Sequence, residues 1–457
     1  MITFLISIGL LITAYFTYGS FIERFFGVKK ENITPAIKNS DGVDYIPMPT
    51  WKVFMIQFLN IAGLGPIFGA ILGATYGPMA YIWIVLGCIF MGATHDYFSG
   101  MLSLRNNGSS LPELVGKYLG NIPRQFLRIF TLLLLIFVGV AFVAGPAKLL
   151  DTLTSGGLNF WLYGIFAYYL IATVLPINKI IGKIYPLFGA VLIFMAVFIA
   201  AAMVYNHING TITMHELSLN DFKNHNANPT KNILYPMMFI VISCGAISGF
   251  HATQSPMMAR CIKNEKHAKF SFYGAMISEG IVAIIWATAA MTFFGGVNEL
   301  NATMTNPSHD PAWIVNEICN TWLGRTGAIL AILGVIVCPI SSGDTAFRSA
   351  RLTVADFLKV KQKSIKNRLL VSLPIFIIGF VLTFQLSSEF GTIWKFVGIS
   401  NQLLASIVLW TAAMYLAVKG KFHWVLSIPA FLLTTVCFTY ILVAPLNNGV
   451  MAISTEI

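Results

Sequence analysis

An all-α membrane protein of about twelve transmembrane helices, built as two inverted five-helix halves, is the fold this sequence predicts. Three observations predict it. The composition is strongly apolar, basic residues alternate from loop to loop, and two helices lying five spans apart are interrupted by glycine and proline.

Of the 457 residues, 56% are hydrophobic and only 10% are charged. A soluble domain carries roughly 25% charged residues because its surface faces water. So little charge over this length means that much of the surface faces lipid. Lys and Arg (29) exceed Asp and Glu (18), giving a net charge of +11. In a membrane protein such an excess follows from basic cytoplasmic loops, so no nucleic-acid partner is expected. The six cysteines, Cys88, Cys244, Cys261, Cys319, Cys338 and Cys437, form no CxxC, and four lie in apolar runs. Neither a disulfide framework nor a zinc site is expected, and no cofactor is implied. Met1 to Ile22 has no basic leader and no small-residue cleavage site, so it reads as a retained helix.

Crossing ~30 Å of hydrocarbon takes about 20 helical residues. Spans are expected near 2–22, 52–76, 78–104, 122–145, 158–175 and 184–205. Six more are expected near 233–254, 270–295, 325–346, 367–385, 390–416 and 422–444. Basic residues follow every odd-numbered span, among them Lys29 and Lys30, Arg105 and Lys117, Lys179 and Lys183, Arg260 and Lys263, Arg348 and Arg351, and Lys419 and Lys421. The intervening loops 74–80, 296–324 and 386–394 have none; Lys148, Lys223 and Lys231 are the exceptions on that side. This places both termini outside the cytoplasm. The expected organisation is one integral membrane domain, with an N-terminal helix and loop (1–50), a first repeat (51–205), a second repeat (233–416) and an extra C-terminal helix (417–457).

The second span, WKVFMIQFLNIAGLGPIFGAILGATYG, carries Gly63, Gly65 and Pro66 in its middle. The seventh carries Gly245, Gly249 and Pro256, with His251, Thr253, Gln254 and Ser255 between the last two. Glycine and proline are common in membrane helices, and one such site alone reads as a packing kink. Two of them, in spans running in opposite directions, are the signature of an inverted repeat with a binding site between the breaks. Proline suits the first turn of a helix, so Pro66 and Pro256 are each expected to open a second half-helix. The free N–H groups and positive dipole end there suit an anionic substrate, and carbonyls freed before the break suit a cation. Candidate substrate residues are Ala62, Gly63, Gly65, Pro66, Gly249, His251, Thr253, Gln254 and Ser255.

The stretches DGVDYIP (41–47), IAGLGPIFGAILGA (61–74), GATHDYFSGMLSLRNNGSSLPELVGKYLG (92–120), SGFHATQSP (248–256) and GISNQLLA (398–405) resemble the carbon starvation protein A family. The resemblance runs in family order over most of the chain. It implies a bacterial inner-membrane transporter with the LeuT-like five-plus-five fold, related to the amino acid–polyamine–organocation superfamily. Members are associated with uptake of peptides and of pyruvate under carbon limitation, the pyruvate carriers being regarded as proton symporters. Two departures stand out. Better-known members have further C-terminal spans, so this chain resembles the short form. They also carry a histidine pair before the glycine–proline break, where this chain has Ile56 and Gln57.

Ionisable residues inside a span are expensive and so call for a reason. Glu279, deep in the eighth span, reads either as a protonated acid hydrogen-bonded to a neighbouring helix or as a coupling or gating group. Asp96, next to His95 in the third span, reads as an ion pair or helix cap at the inner end of the bundle, with coupling as the other reading. Asp344 is expected to pair with Arg348 four residues on. Ser341 and Ser342, beside Pro339, fall where sodium-coupled members of the superfamily hold a cation, although serines next to a proline also satisfy disrupted backbone. Asn401 and Gln402 read first as interhelical hydrogen-bonding amides, with substrate contact at Asn401 as a second role.

The expectation is therefore a secondary active transporter, importing a small carboxylate or peptide nutrient with protons or sodium. Its partners would be that solute, the ion and the lipid bilayer. Amino acids are an alternative substrate class, and a sensor or structural membrane protein is the alternative function. HExxH, P-loop and nucleophile-elbow motifs are missing, so neither an enzyme nor an ATP-driven pump is expected.

Overall fold

A computed structural model describes residues 1–154, 156–175, 181–306, 308–386 and 390–444. Lys179, part of the loop-charge pattern, and positions 445–457 of the expected extra C-terminal segment lie outside the described residues, as does part of the 386–394 loop. Among the described residues nine helices are long and apolar enough to cross a membrane, or ten when one bent pair is counted as a span. They are α1 (Ile2–Phe26), the bent pair α2 (Thr50–Ala62) and α3 (Gly65–Ala74), α4 (Met79–Arg105) and α5 (Asn121–Thr154). After the shorter apolar α6 (Leu158–Val174) comes α7 (Ile181–Ile208). The second half opens with two short helices, α8 (Leu234–Val241) and α9 (Gly249–Ala259). It continues with α10 (Glu265–Phe293), α11 (Pro311–Leu358), α12 (Ile365–Leu386), α13 (Phe390–Val418) and α14 (Trp424–Val443).

The first break falls where the sequence predicts it. Helix α2 ends at Ala62, Gly63 takes φ 41° and ψ −144°, and α3 leaves at 52° to α2. That backbone region strains any residue with a Cβ, and a Cβ on Gly63 would also stand 2.7 Å from the Phe142 ring. Pro66 lies in the first turn of the outgoing segment, which starts as a π-helical turn over Gly65–Gly69.

The second break takes in the first of its expected breakers, Gly245, but ends earlier than the sequence predicts. The non-helical stretch is Ile242–Ser248, and Gly249 is already the first residue of α9. Pro256 is the eighth residue of that helix rather than its first turn, so it does not open the half-helix. His251, Thr253, Gln254 and Ser255 are therefore helical, not part of an irregular loop. Side chains satisfy two carbonyls freed by the break. Gln402 donates to the Phe239 carbonyl at 3.0 Å and the Trp83 indole to that of Ile242 at 3.1 Å.

The two breaks are packed into each other. A Cβ on Gly65 would lie 2.0 Å from the Cys244 Cβ, one on Gly69 2.9 Å from the Val241 carbonyl oxygen, and one on Gly73 2.2 Å from Ile242. Gly92 of α4 similarly receives the Ala246 carbonyl. Glycines in α3 and α4 thus form the seat for the non-helical 242–248 segment, a close backbone approach that requires a missing Cβ.

At the basic-loop end, the DGVDYIP segment closes the bundle. Asp41 accepts the backbone N–H groups of Val43, Asp44 and Tyr45, which presents Asp44 inward. The Asp44 carboxylate meets Arg351 at 3.0 Å and Arg348 at 3.6 Å, both on α11 and both fully buried. Arg348 therefore does not pair with Asp344. Asp344 instead accepts from Tyr185 and from Thr173, at 3.4 Å in the latter case, because the helix continues to Leu358 and leaves it mid-helix, facing α6 and α7. Burial alone would raise the Asp44 carboxyl, but Arg351, Arg348 and Arg260 outweigh it and hold it below the usual carboxylate range. The ion pair therefore contributes stability above the unfolded carboxylate pKa and loses it as pH falls through the lowered folded value. Removing one partner of a buried ion pair costs about 3–5 kcal/mol. Asp44→Asn is thus expected to lower the thermal unfolding midpoint at pH 7 clearly, with the gap from wild type narrowing in strong acid. An equal gap at both pH values would show that the ion pair does not stabilise the fold.

Candidate functional site

Helix α4 carries His95 and Asp96, α9 carries His251 and α10 carries Glu279, and all four are fully buried. The His95 Nδ1 lies 2.8 Å from one Asp96 oxygen, and the His251 Nδ1 lies 3.0 Å from the other. On its far side, the His251 Nε2 stands 3.4 Å from a Glu279 oxygen. The four side chains thus form one line, His95–Asp96–His251–Glu279, crossing from the first half to the second. Of the ion pair or helix cap that the sequence suggests for Asp96, the structure has the paired form, with His95 and His251 as the partners. Asp96 is the centre of a buried network. With each Nδ1–H donating to Asp96, the two Nε2 atoms are left as the free faces of the imidazoles, an assignment that follows from the hydrogen-bond geometry.

The end of that line is unsatisfied. Among the described residues, both Glu279 oxygens and the Nε2 atoms of His251 and His95 lack a hydrogen-bond partner. Buried polar groups are almost always paired, and those that are not need a reason. The unpaired set extends along α2, where Gln57 and Asn60 are fully buried with both amide atoms unpartnered. They lie three residues apart on one helix face, one turn ahead of the break. The Ser248 hydroxyl at the mouth of α9 and the Asn401 side-chain oxygen are unpaired as well. Asn401 sits against the start of α9, since a Cβ on Gly249 would lie 2.5 Å from the Asn401 carbonyl. Gly65 packs on Cys244, whose thiol lies within 4.8 Å of the His251 and Glu279 donor atoms, and Gly249 packs on Asn401, so the structure brings Gly63, Gly65, Pro66, Gly249, His251 and Asn401 into one region with Glu279.

Three of the expected substrate residues face elsewhere. The Thr253 hydroxyl donates to the Phe250 carbonyl at 2.6 Å, and Gln254 joins Thr253 at 2.9 Å and Ser349 at 3.4 Å. Ser255 lies 3.0 Å from Ser99. Their polar groups are consumed in packing α9 against α4 and α11, because the helix starts at Gly249 and turns them away from the break. Ala62 is buried at the end of α2, where it contributes backbone only.

Ser341 and Ser342 lie mid-way along α11, past Pro339. The Ser341 hydroxyl donates to the Cys338 carbonyl at 2.6 Å, and Ser342 donates to Cys338 at 3.1 Å and to the Leu59 carbonyl of α2 at 3.0 Å. They do meet the end of the first broken helix, as the sequence suggests. Both hydroxyls are spent as donors to backbone.

Sequence reasoning missed Gln57 and Asn60 as site residues, and also Cys244. The signal for the first two was available: two amides at i and i+3 in an apolar helix, just before a glycine break. Cys244 sits in an apolar run and gives no such signal.

A family model described as carbon starvation protein CstA matches residues 1–158, 146–325 and 312–440. The chain belongs to the carbon starvation protein CstA family. An uncharacterized membrane protein of Haemophilus influenzae is 44% identical over 344 residues, which cover 64% of this chain and 91% of that protein. The peptide transporter CstA of Campylobacter jejuni is 25% identical over 562 residues, covering 96% of this chain and 78% of that protein. The pyruvate/proton symporter BtsT of Escherichia coli is 25% identical over 350 residues, covering 62% of this chain and 48% of BtsT. Among solved structures, MhsT in complex with L-phenylalanine superposes with a TM-score of 0.60 at 14% identity, covering 86% of this chain and 99% of MhsT. This CstA-family chain is thus a multi-pass membrane transporter homologue with the five-plus-five, LeuT-like fold and broken second and seventh spans.

Proposed function

We propose that this chain is a proton-coupled importer of a small carboxylate, pyruvate-like in size and charge, working by alternating access between the two interrupted helices. The observation that carries the reading is the buried line His95–Asp96–His251–Glu279, ending in unpaired oxygens beside the second break. Glu279 and the His251 Nε2, 3.4 Å apart and with no hydrogen bond among the described residues, can hold one proton between them. A proton resting on Glu279 or on the His251 Nε2 is what a symporter has to pick up on one face and release on the other. Asp96 orients both imidazoles and balances the charge of whichever is protonated. The solute carboxylate would be held by the free N–H groups at the start of α9, next to Ser248, whose own side chain does not cap the helix. Gln57, Asn60 and Asn401 supply neutral hydrogen-bonding groups around it. The names of two relatives, one a pyruvate/proton symporter and one a peptide transporter, support this substrate range.

The same reading makes the protein a carrier rather than an enzyme. It places the chain in the bacterial inner membrane with its basic loops cytoplasmic and both termini outside. Uptake by purified protein in proteoliposomes tests it, with pyruvate, short peptides, pH and sodium varied independently. Pyruvate accumulation driven by an inward proton gradient is the expected result. Uptake indifferent to pH would remove proton coupling, and uptake of peptides alone would move the substrate class.

A second reading, sodium coupling, is favoured by one contact, that of Ser342 with the Leu59 carbonyl. Carbonyl and hydroxyl oxygens there are the hard ligands that such an ion takes. If protons alone drive uptake, Ser341→Ala and Ser342→Ala are expected to leave its ion dependence unchanged, since a hydroxyl that donates to backbone still has lone pairs for a cation and only the measurement separates the two. A rise in the sodium needed for half-maximal uptake in either variant would establish the second reading instead.

A further inference from the structure

The thiol of Cys244, the imidazole of His251 and the carboxylate of Glu279 offer one donor atom each, all within 4.8 Å of one another. From this we infer a binding site for a borderline-soft divalent cation of the zinc type, competing with protons for His251 and Glu279. Three features of the structure support it, and it goes beyond the transport reading by adding a ligand and an inhibitory state.

The first is the donor set. Sulfur, imidazole nitrogen and one carboxylate suit zinc or cobalt and disfavour magnesium or calcium, which take oxygen. The 3.4 Å between the His251 Nε2 and the Glu279 oxygen is about the separation that two ligands have at the corners of a tetrahedral zinc site with bonds of roughly 2.0–2.1 Å. The second is the want of other partners. The Nε2 and both Glu279 oxygens have no hydrogen bond among the described residues. The third is the support behind the ligand. His251 points its Nδ1 at Asp96 from 3.0 Å, the carboxylate–histidine arrangement that fixes the tautomer and turns Nε2 towards a metal.

Sequence spacing hid this set. Residues 244, 251 and 279 form no short motif; one comes from the non-helical break, one from the first turn of α9 and one from the middle of α10. A metal held by all three would tie the break to α10. It would also occupy the atoms to which the transport reading gives the proton. All three side chains are buried, Cys244 the least so at 8% exposure, so entry requires the packing around the breaks to open.

Binding can be read without any transport assay, which keeps this inference separable from the transport reading. The full-length protein, purified in detergent, is titrated with cobalt(II) as the spectroscopic probe. A thiolate-to-cobalt charge-transfer band at one equivalent, abolished by zinc, is the expected result. In Cys244→Ser the band should vanish. In Asp96→Asn it should persist with affinity weakened about tenfold or more, as removing an outer partner of a metal ligand does. Binding should also tighten as pH rises, since the thiol proton is displaced. No band in the wild type, or a full band in Cys244→Ser, would overturn the site. Should Cys244→Ser not survive purification, Glu279→Gln serves in its place, and an unaltered cobalt affinity there would be equally decisive against it.

Discussion

Replacing Glu279 with Gln is expected to reduce pH-gradient-driven uptake to the level of protein-free vesicles. The amide has the size of the protonated acid and none of its ability to give the proton up. It would mimic one state of the cycle permanently. Exchange of internal for external substrate needs no net proton release, so counterflow is expected to persist at a measurable rate. That contrast separates a coupling role from a structural one. A glutamic acid needed only for packing would, when changed to its isostere, leave both activities largely intact or damage both together. Glu279→Gln with full gradient-driven uptake would remove the residue from the mechanism. The position is demanding because Glu279 is fully buried and makes no hydrogen bond among the described residues, while the His251 Nε2 stands 3.4 Å from it. Asp96→Asn should act differently. It leaves Glu279 in place but removes the charge that holds both imidazoles.

The second large effect belongs to Gly65. A methyl group there would have to occupy the space of the Cys244 side chain, 2.0 Å from its Cβ and 2.3 Å from its sulfur. Overpacking in a well-filled interior costs about 1–3 kcal/mol, and here the neighbour is the first atom of a side chain on irregular backbone, which cannot swing away. Gly65→Ala is therefore expected to abolish uptake and to lower the unfolding midpoint by several degrees. The double variant Gly65→Ala, Cys244→Gly restores the missing volume and is expected to regain about half or more of the lost stability, as coupled neighbours do in a double-mutant cycle. Additive losses in the double variant would mean that the two breaks are not in contact. This test bears directly on the fold, because Gly65 lies in the first broken helix and Cys244 in the second.

Composition and loop charge were enough to read the membrane class and the order of the spans. The apolar runs and the alternation of basic loops are written residue by residue along the chain. The observed helices follow the expected spans closely wherever hydrophobic runs are long, as at Ile181–Ile208 for 184–205 and Trp424–Val443 for 422–444. The first break was legible because Gly63 and Pro66 leave the backbone no helical alternative. The second was misplaced because Pro256 was read as a helix opener, whereas glycine at 249 restarts the helix seven residues earlier. Proline in a helix interior is tolerated where neighbouring helices and hydroxyls satisfy the freed groups. The same local rule misled at Asp344, where spacing of four suggested a pair with Arg348. A helix puts such residues on one face, but the neighbouring elements decide which partner is nearer, and Asp44 outbid Asp344 for that guanidinium.

What the sequence determined by itself was the class, the spans, the two broken helices and the identities of the rare buried acids and histidines. Each of these is a local property of composition or of backbone chemistry. What only the tertiary structure decided was their connection. His95 and Asp96 stand more than 150 positions from His251 and Glu279, and Gly65 stands as far from Cys244. No short-range pattern encodes those meetings. They arise because two short helical halves, each unable to bury its irregular backbone alone in lipid, bury it against the other. The glycines of the first half make room for the break of the second, and that contact sets Asp96, His251 and Glu279 in one line.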